Sequence, residues 1–479
     1  MTQHEDSMFI DGAWAPAKGT GRFQVISAST EEVVATAADG SADDVDAAVA
    51  AARRAFDDPS GWSTWEPSRR ADALERFADA IDKRKDQTAR AVTLQMGMPT
   101  MIASLSEAVA PAGLLRYYAG LARSAPVEEE RVSYTGGKTV VRRVPIGVIG
   151  AIIPWNFPQT LTFFKLAPAL AAGNTVVLKP APETILDAYL MAEAAAEAGL
   201  PPGVVNLVTG GPDTGRRIVE HPDVDKVAFT GSTRAGRTIG ETCGRMLRPV
   251  TLELGGKSAV IVLDDADLST EMEKLFACTL VNSGQTCILG TRILAPRNRY
   301  DEVVGAFAAL ASAMPVGDPF DPATALGPLV SQRQRERVEG YIAAGRTEAR
   351  LIVGGGRPAG LDKGWYVEPT VFADVSNDAT IAREEIFGPV LSVIAYDGDD
   401  DAIRIANDSE YGLGGSVWSA DPERARAVAN RIRTGSVGVN YYNIDWFAPF
   451  GGVKQSGIGR ELGPEGLAGF QQLQSVYYS

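Results

Sequence analysis

The sequence predicts an α/β protein built around a parallel β-sheet. From Val144 onward, short apolar runs typical of buried strands alternate with stretches of helical periodicity. That alternation is the pattern of βαβ units. The chain has 479 residues, of which 45% are hydrophobic, so it has room for two or three domains of about 150 residues each.

The elements can be placed in chain order. Two amphipathic helical regions come first, at residues 42–56 and 68–96, and both are rich in alanine and charge. The predicted strands of the sheet are residues 146–153, 175–178, 204–208, 226–229 and 250–254. The predicted helices between these strands are residues 160–172 and 184–198.

A second α/β section begins near Leu254. Ser269 or Thr270 is the predicted cap of a helix that ends in the segment 282–287. Its apolar positions recur at helical spacing at Met272, Leu275, Phe276 and Thr279.

Residues 131–143 form two β-prone arms joined by Gly136 and Gly137, which predicts a tight hairpin. One reading is a surface hairpin. The other is an arm that adds to the sheet of a neighbouring subunit together with the β-prone terminus, residues 475–479. The periodicity alone leaves both open.

Charge and composition exclude several classes of protein. The formal net charge is −14, which disfavours partners such as nucleic acids and anionic lipids. Residues 144–164 are uncharged and long enough to span a bilayer, but three prolines interrupt them, so we interpret them as a buried strand and a loop. Residues 1–7 lack the features of a secretory signal, and three cysteines are too few for a disulfide framework. A reducing cytoplasm is the expected location.

The two histidines restrict the chemistry. His4 lies in the N-terminal tail, and His221 precedes a proline in a predicted turn. This argues against Cys-His and Ser-His-Asp arrangements, and metal-ligand spacing is also missing from the sequence. Any general base is therefore expected to be a carboxylate.

Two segments carry polar or glycine-rich residues where strands end, which is where sites lie in open α/β sheets. In residues 154–158 two prolines fix a loop, so the Asn156 amide could donate to an oxyanion or, alternatively, satisfy its own turn. Residues 229–236 run from a strand into a helix and could receive a phosphate, although the full G-x-G-x-x-G spacing is absent. Lys179 offers a cation nearby, and the carboxylate of Glu183 suits ribose hydroxyls.

Cys287 is the candidate nucleophile. Gly284 and Gln285 leave the backbone open beside it, whereas Cys243 and Cys278 fall inside predicted helices and are interpreted as packing residues. Glu253 interrupts an apolar strand, and a buried glutamate has a raised pKa suited to a base near neutrality. A structural pairing of Glu253 with Lys257 is the alternative.

Five motifs resemble those of the aldehyde dehydrogenase superfamily, the non-phosphorylating, nicotinamide-dependent type, and the likeness runs from about residue 8 to the end. Glu253-Leu-Gly-Gly-Lys257 and Gly284-Gln-Thr-Cys287 match the family's glutamate and cysteine signatures. The other three motifs are residues 154–158, 384–389 and 449–457.

The resemblance implies roles for individual residues. Cys287 is the nucleophile, Asn156 and the Cys287 backbone N–H form the oxyanion hole, and Glu253 activates water for thioester hydrolysis. Lys165 and Glu461 match a proton-relay pair behind that base. The implied cofactor residues are Trp155, Lys179, Glu183, Gly231, Ser232, Leu254, Glu385 and Phe387. The implied substrate residues, which could also be simple core packing, are Phe157, Leu161, Phe164, Ile444, Trp446 and Phe450.

The resemblance also implies an architecture. It is a Rossmann-like parallel-sheet cofactor domain (1–130 and 144–252), a catalytic α/β domain (253–432), an oligomerisation arm (131–143 and 466–479) and a return segment with the substrate tunnel (433–465). The expected assembly is a homodimer or homotetramer.

The expected reaction is oxidation of a hydrophobic aliphatic, terpenoid or aromatic aldehyde with NAD. NADP is the alternative cofactor, because Pro182 stands where many relatives carry the selecting glutamate and Arg216 and Arg217 could meet a phosphate. Asp445 beside Trp446 leaves a cationic aldehyde as a second substrate class. Phosphorylating and CoA-acylating relatives, a thiol esterase and a non-catalytic scaffold are the competing functions, and the presence of Cys287 and Glu253 together argues against the scaffold.

Overall fold

A computed structural model describes residues 4–134 and 136–479 of the chain. Two sequence predictions fall partly outside these residues: the N-terminal segment that begins at Met1, and the hairpin, which includes Thr135.

The described residues form 20 strands and 16 α-helices. The strands are β1 (Ser7–Ile10), β2 (Ala13–Pro16), β3 (Gly21–Ile26), β4 (Val33–Asp39), β5 (Glu128–Val132), β6 (Lys138–Pro145), β7 (Val148–Ile152), β8 (Thr175–Lys179), β9 (Val205–Leu207), β10 (Lys226–Thr230), β11 (Val250–Glu253), β12 (Ser258–Val262), β13 (Gly290–Pro296), β14 (Arg350–Val353), β15 (Thr370–Ala373), β16 (Val390–Tyr396), β17 (Gly415–Trp418), β18 (Gly438–Val439), β19 (Gly457–Ile458) and β20 (Gln471–Tyr478). The helices are α1 (Ala42–Asp57), α2 (Pro67–Asp82), α3 (Lys85–Met96), α4 (Thr100–Leu105), α5 (Ala110–Ser124), α6 (Pro158–Ala172), α7 (Leu186–Glu197), α8 (Pro212–Glu220), α9 (Thr233–Arg245), α10 (Met272–Thr279), α11 (Tyr300–Ala313), α12 (Gln332–Glu348), α13 (Thr380–Arg383), α14 (Asp399–Asn407), α15 (Pro422–Ala429) and α16 (Gly463–Ala468).

The first large sheet has eight strands in the order β19-β11-β10-β7-β8-β9-β1-β2. Its five central strands, β11 to β9 in that order, are parallel, and the outer strands pair antiparallel. All five residues of β7, β8 and β10 are buried, as expected for parallel strands with both faces covered. The five strands predicted for this section are therefore present. The loop predicted after β7 ends sooner than expected, because α6 begins at Pro158, where proline suits the first helical position.

The second large sheet has seven strands in the order β14-β15-β16-β13-β12-β17-β18, and only β14 pairs antiparallel among the described strands. The predicted helix before Cys287 exists as α10, but its predicted cap is wrong. The helix begins after Glu271, and the Ser269 hydroxyl instead donates to the Asp267 Oδ1 at 2.7 Å. A local turn takes the hydroxyl that the helix would have used.

Residues 128–145 and the C-terminus form a three-stranded sheet in the order β20-β6-β5. β20 pairs with β6 antiparallel from Gln471 opposite Pro145 to Tyr478 opposite Lys138. Gly136 and Gly137 both have positive φ angles, 91° and 75°, which is the backbone that a tight hairpin turn requires. The hairpin strands extend a few residues beyond the predicted bounds of 131–143 on both sides.

Strand membership bears on the predicted domain bounds without assigning roles to the domains. β11 ends at Glu253, one residue past the predicted boundary of 252. The return segment 433–465 contributes β18 to the second sheet and β19 to the first. Within the described part of the chain, none of the helices has the length and apolar character needed to cross a membrane.

The Asn174 side chain links three segments of the chain by hydrogen bonds. It is fully buried between α6 and β8. Its Oδ1 accepts hydrogen bonds from the backbone N–H groups of Ile146 and Gly147 at 2.7 and 2.9 Å. Its Nδ2 donates to the carbonyls of Ala169 and Phe470 at 3.1 and 2.9 Å. One side chain therefore joins the start of β7, the end of α6 and the segment that leads into β20.

We predict that Asn174→Ala destabilises the protein strongly. The change leaves buried backbone groups without partners, and each such group costs about 1–3 kcal/mol, so the free energy of unfolding falls by roughly 2–4 kcal/mol in total. Thermal unfolding at fixed protein concentration measures the effect, with the exposed Asn430→Ala as the matched control. Equal melting temperatures for the two variants would contradict the prediction.

Candidate active site

The carboxyl ends of three adjacent parallel strands, β7, β10 and β11, meet at one edge of the first sheet, facing the loop that follows α10. A cavity of about 480 Å³ opens there. Its lining includes eight residues that the sequence analysis had singled out: Trp155, Asn156, Gly231, Ser232, Leu254, Cys287, Glu385 and Phe387. Residues far apart in the sequence are thus brought to one place by strand order.

Asn156 lies in the loop between β7 and α6 and is 4% exposed. Its Nδ2 donates to the Gln285 carbonyl at 3.0 Å, and its own carbonyl accepts from the Asn282 Nδ2 at 3.1 Å. The Asn156 side chain is therefore anchored across to the loop of Cys287 and does not satisfy its own turn. An amide NH₂ group has two N–H donors, so one remains for a ligand in the cavity.

The loop before Cys287 has an unusual backbone. Asn282, Ser283 and Gly284 follow one another with positive φ angles of 55°, 55° and 76°. For Asn and Ser this conformation is strained, and such strain collects at functional sites when the surroundings fix it. Gln285 helps to fix it, because its side chain donates to the Asn282 carbonyl at 3.2 Å and accepts from the Val330 N–H at 2.9 Å.

Cys287 follows this loop and is partly exposed, whereas Cys243 and Cys278 are buried inside α9 and α10, as predicted. Burial of the sulfur, with the nearby carboxyl groups of Glu385 and Glu253, raises the pKa of the Cys287 thiol to about 12. The thiol is reachable from the cavity but holds its proton until another group removes it or a positive charge approaches.

Glu253 is the last residue of β11 and is 3% exposed. Among the described residues no side chain donates a hydrogen bond to its carboxyl oxygens, and the backbone N–H of Gly452 is the donor near them. Burial, and after it the charge of Glu461, raises the pKa of Glu253 well above its ordinary value. The alternative pairing with Lys257 is wrong, because the Lys257 Nζ also lacks a hydrogen-bond partner in the described part of the chain.

Lys165 and Glu461 form a fully buried ion pair behind Glu253. The Lys165 Nζ lies 2.9 Å from the Glu461 Oε1, and both side chains are at most 1% exposed. The same Nζ donates to the Thr230 hydroxyl at 2.5 Å. Thr230 ends β10 and lines the cavity, so this network connects the cavity with the buried carboxyl groups.

The turn from β10 into α9 lies on one wall of the cavity. Ser232 is the N-cap of α9, and its Oγ accepts from the Ala235 N–H at 3.3 Å. The Gly231 N–H donates to the Glu253 carbonyl at 3.0 Å, which fixes the turn beside Glu253. The start of a 13-residue helix favours an anion, and the side chains of Arg234, Arg333 and Arg337 also line the cavity.

Glu385 and Phe387 lie on the opposite wall. The Glu385 Oε1 accepts from the Gly256 N–H at 2.9 Å, and burial raises the pKa of its carboxyl group to about 7. Phe387 has a positive φ of 61°, and its ring meets the Trp155 ring edge-on with the centroids 5.3 Å apart. These groups offer a carboxylate for hydroxyls and an aromatic surface for a flat ring.

Lys179 and Glu183 lie outside the lining of this cavity, unlike the other predicted cofactor residues. The Lys179 Nζ donates to the carbonyls of Pro180 and Gly210, both at 2.7 Å, and burial lowers its pKa to about 8. Glu183 reaches the cavity rim, where its Oε1 is 3.6 Å from the Nη2 of Arg333. Arg217 is engaged by two hydrogen bonds to Asp46, at 2.7 and 2.8 Å, so it is held away from any phosphate.

None of the predicted substrate residues lines the cavity that contains Cys287. Phe164 and Phe450 are buried with ring centroids 6.5 Å apart, and Leu161 is buried on the same helix as Phe164. Ile444 and Phe450 line a cavity of about 240 Å³, whereas Ile444 and Trp446 line a neighbouring one of about 370 Å³.

Two of the predicted aromatic residues have structural roles as well. Phe157, partly buried, packs against two hydrophobic clusters. Trp446 packs over Gly113 of α5, where a Cβ would lie 2.9 Å from the indole ring. Asp445 is exposed, and its Oδ1 accepts from the Phe447 N–H at 2.9 Å, so this carboxylate already serves its own turn.

The sequence analysis missed three residues of the site: Thr230, Asn282 and Tyr442. Thr230 could have been found as the last residue of a predicted strand, immediately before the glycine of the turn. Tyr442 is buried near Cys287, with its hydroxyl 2.8 Å from the Ser436 Oγ, and only the fold brings it there. Within residues 4–134 and 136–479, groups of three or more His, Cys, Asp or Glu side chains that could hold a metal ion are absent.

Comparison with known proteins agrees with this geometry. Residues 14–476 match the Aldehyde dehydrogenase family. The chain is 56% identical over 477 residues to geranial dehydrogenase of Castellaniella defragrans, covering 100% of this chain and 99% of that protein.

Solved structures are equally similar. A Mycobacterium tuberculosis aldehyde dehydrogenase complexed with NAD⁺ has a TM-score of 0.97 and 48% identity, covering 99% of this chain and 98% of that one. A mutant of aldehyde dehydrogenase C from Pseudomonas syringae, complexed with NAD⁺ and octanal, has a TM-score of 0.95 and 43% identity, covering 100% and 97%. On its motifs, its site and these likenesses, the chain belongs to the aldehyde dehydrogenase family.

Proposed function

We propose that this aldehyde dehydrogenase oxidises a hydrophobic aldehyde to the carboxylic acid with NAD, through a covalent adduct on Cys287. One observation carries the proposal: Cys287 and the buried amide donor of Asn156 line the same cavity, and the buried carboxyl group of Glu253, which has no side-chain partner, influences the thiol. A nucleophile, an oxyanion donor and a base are the three groups that acyl chemistry on a cysteine needs. A scaffold has no use for a buried carboxyl group without a charged partner, because its burial costs stability.

The cavity fits a dinucleotide. The N-terminus of α9 and three arginines suit the pyrophosphate, the buried Glu385 suits ribose hydroxyls, and the Trp155–Phe387 pair suits the nicotinamide ring. When bound, NAD supplies the hydride acceptor and a positively charged ring. NAD is favoured over NADP because Arg217 is occupied by Asp46 and Glu183 adds negative charge at the rim.

The first chemical step is addition of the Cys287 sulfur to the aldehyde carbon. The thiol must lose its proton, and Glu253 is the nearby group able to take it once ionised. Addition creates an alkoxide, which the free N–H of Asn156 and the Cys287 backbone N–H stabilise. Loss of hydride from this adduct leaves a thioester on Cys287.

The second step is hydrolysis of that thioester. Glu253 first passes the proton that it took from the thiol toward the Glu461 and Lys165 pair, which Thr230 connects with the cavity. It then takes a proton from the water that attacks the acyl carbon, and its raised pKa makes it a stronger base than an exposed glutamate. The carbon–sulfur bond breaks, the acid leaves, and the proton on Glu253 returns to the sulfur, which restores the Cys287 thiol.

The aldehyde is proposed to be hydrophobic. Apolar and aromatic residues make up most of the lining of the cavity that contains Ile444 and Phe450, and the relatives named above act on geranial or bind octanal. The cationic alternative has less support, because the Asp445 carboxylate is exposed and engaged in its own turn.

The three-stranded arm is proposed to join copies of the chain into a dimer or tetramer, since it exposes Val132, Leu473 and Tyr477. The cytoplasmic location stays a prediction.

We predict that Glu253→Gln separates the two chemical steps. Thioester formation is slower, because Glu253 also takes the thiol proton, but it still completes with water or buffer as the acceptor. NADH therefore appears in a slowed burst equal to the number of active sites, and the steady-state rate falls about 10²-fold or more because hydrolysis has lost its base. Rapid-mixing absorbance at the NADH band measures both phases. Cys287→Ala should show neither phase, and Cys243→Ala should behave as the unaltered enzyme. A normal steady-state rate in Glu253→Gln would contradict the role of Glu253.

We predict that kcat rises as the pH is raised through neutrality and above it. Glu253 and Cys287 both act after losing a proton, and both have pKa values raised by burial, so the active forms increase as pH rises. Steady-state rates in a constant-ionic-strength buffer series test this, with activity checked after return to neutral pH. A rate that is flat or falls across this range would contradict the assignment of these two groups.

We predict that octanal is preferred over propanal by at least tenfold in kcat/KM. Each buried methylene is worth about 0.8 kcal/mol, so even partial burial of the longer chain gives that ratio. Asp445→Asn should leave the octanal and betaine aldehyde rates unchanged. A preference for betaine aldehyde that is lost in Asp445→Asn would support the cationic substrate instead.

A further inference from the structure

Helix α6 carries the site but cannot cap its own N-terminus. Its N-cap is Phe157, whose side chain has no oxygen to accept the free backbone N–H groups of the first turn. All 15 residues of the helix are buried, so water cannot take that role easily. The residue just before the cap is Asn156, and Lys165 lies two turns further along. The position of this helix therefore sets the position of both groups.

Glu107 supplies the missing cap from about 50 residues away. It lies between α4 and α5 and is fully buried. Its Oε2 accepts hydrogen bonds from the backbone N–H groups of Gln159 and Thr160 at 2.7 and 3.3 Å, and its Oε1 accepts from the Thr160 hydroxyl. Gln159 extends the network, because its Nε2 donates to the buried Asp187 Oδ2 at 2.7 Å.

If stability were its only role, this arrangement would be a costly way to cap a helix. The three donors to Glu107 are neutral, and burial raises the pKa of its carboxyl group to about 7. A serine or asparagine at position 157 would cap the helix locally at lower cost, but that position is occupied by a phenylalanine. The remote carboxylate therefore accomplishes something that a local cap would not: it fixes the start of α6 against the α4–α5 connection.

We propose that Glu107 is a positioning residue for the oxyanion donor Asn156. Gln285 holds the Asn156 amide from one side, and Glu107 holds the helix that follows it from the other. An oxyanion donor must lie about 2.7–3.1 Å from the developing alkoxide, so a small shift of the helix start weakens it. The inference rests on the proposed role of Asn156.

A double-mutant cycle tests the proposal in the full-length enzyme with octanal and NAD. Asn156→Ala alone should lower kcat by about 10²-fold or more. Glu107→Ala should lower kcat about tenfold or more, with the KM for octanal and the Kd for NAD within about twofold, because misplacement acts in the transition state. In the double variant, Glu107→Ala should have almost no further effect, since coupled residues are not additive.

Two further variants distinguish a positioning role of Glu107 from a merely structural one. Glu107→Gln keeps an acceptor for the two backbone N–H groups and an amide for the Thr160 hydroxyl, so it should restore most of kcat. Asp44→Ala removes another buried capping carboxylate, at the start of α1, and should lower the melting temperature without lowering kcat per active site. Active sites are counted by NADH burst.

The outcomes distinguish failure of the positioning role from failure of the proposed function. Full kcat in Glu107→Ala, or an effect that multiplies with that of Asn156→Ala, would overturn the positioning role and leave the proposed function intact. Full kcat in Asn156→Ala would instead overturn the proposed oxyanion hole. If Glu107→Ala does not fold, Thr160→Val removes the hydroxyl contact alone. A lowered kcat with an unchanged KM in that variant would support the positioning role, and a kcat equal to that of the unaltered enzyme would overturn it.

Discussion

The active site depends on the order of parallel strands in the first sheet. β7, β10 and β11 are neighbours, so their carboxyl ends deliver the Asn156 loop, Thr230 and Glu253 to one edge. Parallel strands require crossover helices, and the crossover after β7 is α6, which brings Lys165 beneath the same edge. The proposed oxyanion donor, the proposed base and the buried Lys165–Glu461 pair therefore depend on one topological arrangement. The proposed nucleophile, Cys287, comes from outside it, on a loop that the Asn156 amide binds directly.

Burial gives this edge its chemistry. Glu253 and the Lys165–Glu461 pair are withdrawn from water and Glu385 is half-buried, and desolvation raises the pKa values of the Glu253 and Glu385 carboxyl groups. Desolvation also raises the pKa of the Cys287 thiol. Because each of these groups is less readily ionised than it would be in water, each responds to the charge that enters the cavity. Burial of these ionisable groups therefore lowers the stability of the fold while it serves the proposed activity.

A large part of this structure could be predicted from the sequence, for reasons that differ from residue to residue. Strands such as β7 and β10 are continuous apolar runs, and the Gly136–Gly137 turn is a local signal, so periodicity and turn chemistry found them. The cap at Ser269 failed because Asp267 competes for the same hydroxyl. Asn282 was out of reach because its partner, the Asn156 carbonyl, lies across the fold, and Tyr442 was out of reach because only the fold brings it near Cys287. The role of Glu461 came from the family resemblance, since its position in the sequence could not show that it pairs with Lys165.

The most informative failure of local rules lies at the start of α6. A sequence-based reading expects a helix to begin with a residue that caps it, and Phe157 does not. The conflict disappears only when Glu107 is seen to accept the free N–H groups from a different part of the chain. The same principle holds for Asn282 and Ser283, whose strained backbone persists because Gln285 and the Asn156 loop fix it. Positions where a segment contradicts its own propensity and a distant residue compensates are where catalytic geometry is set.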